Sequence, residues 1–292
     1  MKKSVNKITA RSLSWLFSLL LLALGAAFVS AQPATKAAPA PSPGPDARAK
    51  VTETLVDSSI SNDPGVDKML TAYSPKVREL EVVVGRLKGE LKKGGIGAGS
   101  LGNFVTDGMR AQASLKLGKR IDLAVMNGGG MRRNTIGEGE LRARDIFELL
   151  PFENALVTLE LTGEQVMRLL GVVVSSREAQ SGARLTYKIK ADKSAELETA
   201  RLLDEKRSEK EIDPKAVYSV VTIDYLINVG GARYAVLREG TNQKALGITL
   251  RDAMIAYVKS EAAAGRDIKP NLDGRFVFDR ANSVLSGEAP SP

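Results

Sequence analysis

The chain contains no cysteine and no histidine in its 292 residues. No disulfide can staple it and no thiolate or imidazole can hold a structural zinc, so apolar packing alone must hold whatever fold it adopts. Its length, with 43% hydrophobic and 26% charged residues, suffices for one large or two small globular domains with a substantial core. The same two zeros bound the chemistry. They exclude a Cys nucleophile, a Ser-His-Asp triad, a His general base and any His-ligated zinc or mixed His/carboxylate dinuclear centre. Catalysis would fall to carboxylates, Lys, Tyr, Ser or an all-oxygen metal site.

The N-terminus is of a different character from the rest. Residues 1–31 carry Lys2, Lys3, Lys7 and Arg11 without an acid, then an apolar run from Leu13 to Val29, then Val29-Ser30-Ala31 before Gln32. A basic start, an apolar middle and a small-residue end read as a signal peptide, which predicts an exported, periplasmic or secreted protein. Left uncleaved, the same run would serve as a membrane anchor. Without this segment 38 basic residues face 34 acidic ones, a net charge of +4 rather than +8. That balance does not point to nucleic acid, and it suits a small anionic ligand.

Residues 32–50, with Pro33, Pro39, Pro41, Pro43 and Pro45 among Ala and Ser, read as an unpacked linker. The globular domain is expected over 51–285, and 286–292 as a disordered tail. Asp63-Pro64 announces a helix with Val66, Met69, Leu70, Tyr73 and Val77 on one face, broken at Ser74-Pro75 and resuming to about Glu81. Glu81–Leu91 is ambiguous between helix end and strand, and 92–102 reads as a glycine-rich loop. A helix capped by Ser100 follows, carrying Leu101, Phe104, Val105, Met109 and Ala113. Strands are expected at 121–126, 155–161, 184–189 and 217–223, and a short helix at 141–150. Thr162-Gly163-Glu164-Gln165 is a capping box opening another helix, and Thr249 caps a last one that ends before Gly265. Helices and strands interleave without a regular βαβ period, so the predicted fold is α+β, a single mixed domain.

Four short segments are candidates for chemistry. Gly97-Ala98-Gly99-Ser100-Leu101-Gly102 satisfies G-x-G-x-x-G, but no clear strand precedes it and Asp122 starts the next strand where a ribose-binding acid should end it, so a loop entering a helix is preferred. Asn127-Gly128-Gly129-Gly130-Met131-Arg132 is the stronger candidate. Its glycines would allow positive φ and let N–H groups converge on an anion, and an arginine stands at the rim; the alternative is a tight surface turn. In Leu149-Leu150-Pro151-Phe152-Glu153-Asn154 a proline ends a helix and leaves Phe152 beyond it, where a core role is the alternative. Gly230-Gly231-Ala232-Arg233-Tyr234 combines glycines, a cation and an aromatic.

The runs Leu101–Met109, Asn127–Arg132, Leu150–Asn154 and Glu160–Gly163 together resemble the C-terminal domain of the 5′-nucleotidases, over about Asp63 to Phe278. In that family this domain holds the substrate, while a separate metallophosphoesterase domain binds two metal ions through His, Asp and Asn and performs hydrolysis. Before residue 63 only a signal and a spacer are read here, and no histidine is present. The resemblance therefore implies the nucleotide-binding module of a split 5′-nucleotidase, with no catalytic residue, metal or cofactor in this chain and divalent metals only in a separate metallophosphoesterase partner. A nucleoside monophosphate or related nucleotide is the implied ligand. The alternatives are a non-catalytic nucleotide- or nucleoside-binding protein, or a purely structural domain.

Carried over by position, the resemblance assigns Asn127 and Arg132 to the phosphate end, Gly129 and Gly130 to the loop, and Phe152 and Tyr234 to an aromatic base clamp. Glu239 is assigned to ribose hydroxyls. Two motifs depart from the family pattern. Where it has an Arg and a Glu before L-G-N, this chain has Gly95 and Ala98, leaving Lys92 or Lys93 as the substitute cation; and the family's G-G-D-G becomes Gly230-Gly231-Ala232-Arg233.

Overall fold

The first helix of the domain begins where a capping acid meets a proline. Asp63 Oδ1 accepts the N–H groups of Gly65 and Val66 at 2.7 and 3.0 Å, and Pro64 occupies the first turn, where no donor is required. This is the start of α1 (Pro64–Thr71), and α2 (Ser74–Leu80) follows after the expected break. Their apolar residues Val66, Met69, Leu70, Tyr73 and Val77 form the predicted stripe, but all are exposed. The computed structural model describes residues 52–204 and 206–283. The signal segment 1–31, the linker 32–50 and the tail 286–292 lie outside the described residues. Residues 52–61 belong to a unit separate from the one that begins at Asn62, and contain a turn in which Asp57 Oδ1 accepts the Ser59 N–H at 2.8 Å.

The ambiguous stretch after α2 is β1 (Val83–Leu87), followed by β2 (Leu91–Lys92). The glycine-rich segment then turns sharply into α3 (Gly99–Leu117), with Gly95, Gly97, Ala98 and Gly99 all in the left-handed region. Ser100 does not cap this helix: its Oγ accepts the Lys92 N–H at 2.9 Å, and the cap position belongs to Ala98. Glycine is needed at 97 and 99 because a Cβ would stand 2.2 Å from Phe276 Cε2 and 2.5 Å from the Lys92 carbonyl oxygen, respectively. The G-x-G-x-x-G pattern is thus explained by close packing.

The chain continues through β3 (Leu123–Met126), a 3-10 turn (Gly128–Gly130), β4 (Thr135–Ile136) and β5 (Gly139–Arg142) to α4 (Ala143–Leu149). The helix expected from 141 starts two residues later, because Leu141 is paired with Gly85 across β1 and β5 and the Asp145 carboxylate caps the start by accepting the Arg142 N–H at 2.8 Å. Next come β6 (Ala155–Thr162), α5 (Gly163–Ser175), β7 (Ala179–Ser181), β8 (Ala183–Ile189), β9 (Ala195–Leu203), β10 (Glu209–Glu211) and β11 (Val217–Ile223). The capping box opens α5 as predicted, with Thr162 N–H on Gln165 Oε1 at 2.8 Å and Gln165 N–H on Thr162 Oγ1 at 3.3 Å. The last elements are α6 (Asp224–Asn228), a 3-10 turn (Ala232–Tyr234), α7 (Ala235–Arg238), β12 (Thr241–Thr249), α8 (Leu250–Ala263) and β13 (Phe276–Phe278).

A five-stranded sheet runs β12-β6-β11-β3-β7, with only the β11–β3 pair parallel, and a four-stranded sheet runs β10-β9-β8-β13, with only β13–β8 parallel. This is the predicted mixed α/β domain. The interior strand β3, between β11 and β7, is buried along its whole length, so it delivers the chain to the Gly128–Gly130 turn from a packed floor. Helix α3 lays Leu101, Val105, Met109 and Ala113 into the same core. Gly108 admits α8 closely, since a Cβ there would stand 2.5 Å from Met254 Sδ.

Candidate functional site

A cavity of about 380 Å³ is lined by Asn127, Gly129, Gly130, Arg132, Phe152, Asn154 and Tyr225. Three chain segments meet there: the turn that leaves β3, the residues that follow α4, and the first turn of α6. Five of the seven residues singled out from the sequence lie together in this wall.

The turn is built differently from the expectation. None of Gly128, Gly129 and Gly130 has positive φ; they form a single 3-10 turn. Its N–H groups are largely engaged within the protein. Gly128 donates to Glu178 Oε2 at 2.5 Å, Gly130 to the Asn127 carbonyl at 3.1 Å and Met131 to the Gly128 carbonyl at 3.2 Å. An internal carboxylate therefore takes a donor that the loop was expected to offer to an anion. The glycines serve close approach instead: a Cβ on Gly130 would come within 2.4 Å of Met126 Cε and 3.2 Å of Asn127 Oδ1. Asn127 Oδ1 is a buried acceptor without a hydrogen-bond partner among the described residues.

Arg132 carries the positive charge of the cavity. Its backbone N–H donates to the Leu149 carbonyl at 2.8 Å, which ties it to the end of α4. Its guanidinium lies 5.9 Å from the Phe152 ring centroid and donates to the Gly129 carbonyl at 3.4 Å, and it forms no ion pair among the described residues. The neighbouring Arg133, by contrast, is engaged by Asp145 and Glu148 at 3.0 and 3.2 Å. Of the two lysines considered as substitute cations, Lys92 pairs with Glu90 at 2.8 Å, and Lys93 donates to the Met131 carbonyl at 3.0 Å. Neither lines the cavity.

Phe152 is not a core residue; it is 47% exposed. Proline at 151 ends α4, and the Pro151 carbonyl accepts from Arg251 Nη1 at 3.4 Å, while Arg251 also pairs with Glu153. The ring is thereby presented on a fixed backbone. The second aromatic of the cavity is Tyr225, 44% exposed. One oxygen of Asp224 accepts both the Tyr225 N–H at 2.8 Å and the Ala155 N–H at 3.1 Å, so the segments carrying the two rings share one anchor.

Tyr234, expected as the second ring, does not reach the cavity. It is buried, and its hydroxyl donates to Glu178 Oε1 at 2.6 Å. Burial first, then the bond to Glu178, pushes its phenol well above the ordinary tyrosine value. Glu239 is also elsewhere: it is exposed, its carboxylate is held by Arg168, and that hydrogen bond lowers its pKa. The residues that sequence reasoning missed are Tyr225, Asn154, Asp224 and Glu178. A tyrosine after Ile223-Asp224 carries no signal of its own, because its exposure follows from where β11 ends.

The chain has no histidine, and among the described residues no group of three or more Asp or Glu side chains is arranged to hold an ion. No described helix is long and apolar enough to cross a membrane.

Residues 81–239 match the sequence model of the family described as 5′-nucleotidase, C-terminal domain. Among curated relatives, Protein UshA of Yersinia enterocolitica is 30% identical over 235 residues, 78% of this chain and 38% of its own length. Endonuclease YhcR of Bacillus subtilis is 27% identical over 237 residues, 80% of this chain and 18% of its own. The chain thus spans well under half the length of either relative. Among solved structures, a 5′-nucleotidase precursor from Thermus thermophilus superposes with a TM-score of 0.61 at 25% identity, over 73% of this chain and 42% of that one. The NAD nucleotidase of Haemophilus influenzae shares the fold, with a TM-score of 0.57 at 20% identity, over 78% and 44%.

Proposed function

Because the chain belongs to the family of 5′-nucleotidase C-terminal domains, we propose that it is an exported nucleotide-recognition module whose hydrolytic step is supplied by a separate metallophosphoesterase. One observation carries the reading: Arg132, without an ion pair among the described residues, lines one cavity with two exposed aromatic rings, Phe152 and Tyr225. A nucleoside monophosphate presents a dianionic group at one end and a flat π-system at the other. A guanidinium can pair with the first in a bidentate, charge-assisted bond, and aromatic faces can hold the second. Asn127 and the Gly129–Gly130 backbone would complete the phosphate end. In this reading Tyr225 replaces Tyr234 as the second ring, and Glu239 has no part in ribose binding. The lack of histidine in the chain supports assigning turnover to another polypeptide or domain.

Calorimetry with AMP and adenosine, together with phosphate release from AMP in the presence of divalent metals, tests the proposal. Binding of AMP without turnover is expected, and turnover by the purified chain alone would overturn the split arrangement. A second reading, capture of nucleosides without any hydrolytic partner, is favoured by Gly95 and Ala98, which remove an arginine and a glutamate from the family pattern. Adenosine binding as tightly as AMP would select it. Binding of neither would leave a structural domain.

A further inference from the structure

A second cavity, of about 440 Å³, shares no lining residue with the first. Four arginines line it: Arg110 on α3, Arg120 before β3, Arg207 between β9 and β10, and Arg275 before β13. Asp107, Asp204 and Asp273 line it too, so the question is which charges are already matched.

Arg275 is buried and saturated. It donates to both oxygens of Asp107 at 3.0 and 2.9 Å and to both oxygens of Asp273 at 2.8 Å. Asp107 also accepts from Ser181 Oγ at 2.6 Å, and Asp273 also pairs with Arg207. Asp204 is committed to its own turn: it accepts the N–H groups of Lys206 and Ser208 at 2.9 and 2.8 Å and faces Lys210 at 3.8 Å. Among the described residues two guanidinium groups are left over. Arg120 donates to the Leu203 carbonyl and has no carboxylate partner among the described residues. The Arg110 side chain has neither a hydrogen bond nor an ion pair with any described residue, although the residue is half-buried. Burial lowers its pKa, Asp107 opposes this, and the like charges of Arg120, Arg275 and Arg207 reinforce the lowering.

A half-buried cation beside other cations costs free energy unless a counter-charge arrives from outside. We propose that this cavity is an anion site in which Arg110 and Arg120 grip the phosphate group of a small phosphate ester. The planar forks of the two arginines match the oxygens of such a group. The cavity is much larger than a phosphate ion and lies in the range of about 300–1,000 Å³ that holds small molecules, so room remains for the body of an ester. The site is independent of the nucleotide reading, because none of its residues belongs to the first cavity.

The test is calorimetry at low salt on the chain without its N-terminal segment 1–31, using inorganic phosphate and glycerol 3-phosphate, neither of which carries a base. Wild type should bind glycerol 3-phosphate more tightly than inorganic phosphate, and Arg132→Ala, which removes the cation of the first cavity, should still bind it. Arg110→Gln and Arg120→Gln should each weaken it at least tenfold and abolish the rise in melting temperature that the ligand produces. Without ligand, Arg110→Gln should melt no lower than wild type, since it removes a half-buried cation that has no ion pair among the described residues. Absence of binding up to millimolar ligand, equal binding by Arg110→Gln, loss of binding in Arg132→Ala, or a sharp drop in the ligand-free melting temperature of Arg110→Gln would each overturn the proposal.

Discussion

The Tyr234 hydroxyl donates to one oxygen of Glu178 at 2.6 Å, while the other oxygen of that buried carboxylate accepts the Gly128 N–H at 2.5 Å. A residue expected to touch the base is instead two bonds behind the turn that frames the cavity. Tyr234→Phe keeps the ring and removes the donor, leaving a buried carboxylate short of one partner. A loss of about 1–3 kcal/mol of stability is expected. Thermal melting measures it, and an unchanged melting temperature would show that the hydroxyl does not support Glu178.

Arg132→Ala should weaken AMP binding by about 1.5–3 kcal/mol, the usual worth of a hydrogen bond to a charged group, and leave adenosine nearly unchanged. Parallel titrations of the two ligands read the difference. Equal losses for both would place the arginine at the base or the sugar.

Phe152→Ala and Tyr225→Ala should each weaken AMP and adenosine alike, by about 1–3 kcal/mol for a lost stack. Because both rings are about half exposed, neither change should lower the melting temperature appreciably. A sharply lower melting temperature for Phe152→Ala would make it a packing residue after all.

Alkaline pH should unfold the protein through its buried phenols. Burial raises Tyr187 and Tyr234 and pushes Tyr257 up to about 12. In each case the folded state holds the neutral phenol. Their contribution is therefore complete below the ordinary tyrosine value of about 10 and is lost as pH rises through the folded values. These three should titrate above the ordinary tyrosine value when phenolate absorbance is followed, and their ionisation should coincide with loss of secondary structure.

Acid acts on the opposite sign of shift. Burial pushes the Asp273 carboxyl up, but the guanidinium groups of Arg275 and Arg207 outweigh it and hold the carboxyl well below the usual range. Its stabilisation is present above about pH 4, near the unfolded value, and declines as pH falls toward the folded one. Asp273→Asn should cost about 3–5 kcal/mol at neutral pH, because Arg275 loses a partner inside the protein, and should flatten the acid limb of a stability-against-pH curve.

The legible parts of this fold were those whose cause is local. Asp63-Pro64, the Thr162 capping box and the Thr249 cap act within three residues of themselves, and each helix begins where its cap stands. The strands at β3, β6, β8 and β11 were visible because their apolar residues face a core. β12 was not: it reads TNQKALGIT, is mostly exposed, and owes its extended form to pairing with β6. The candidate site divides the same way. Asn127, Gly129, Gly130, Arg132 and Phe152 sit in short motifs, and the structure brings all five to one cavity. Tyr225 arrives there only because β11 ends beside β6, and Tyr234 is withdrawn by a carboxylate 56 positions away. Neither fact is written in the neighbouring residues.

The single oxygen of Asp224 that holds both Ala155 and Tyr225 has a bearing on selectivity. In the proposed base clamp it ties the backbone that carries Phe152 to the backbone that carries Tyr225, so the spacing of the two jaws would be set in the main chain and would gauge thickness. All nucleobases are equally thick, and such a gauge would admit purines and pyrimidines alike. In that reading choice among them would fall to the rim, where Asn154 is the amide nearest in sequence to Phe152 and can both donate and accept. Widening or narrowing the gauge at Asp224 would change whether a base enters; only the rim would change which one.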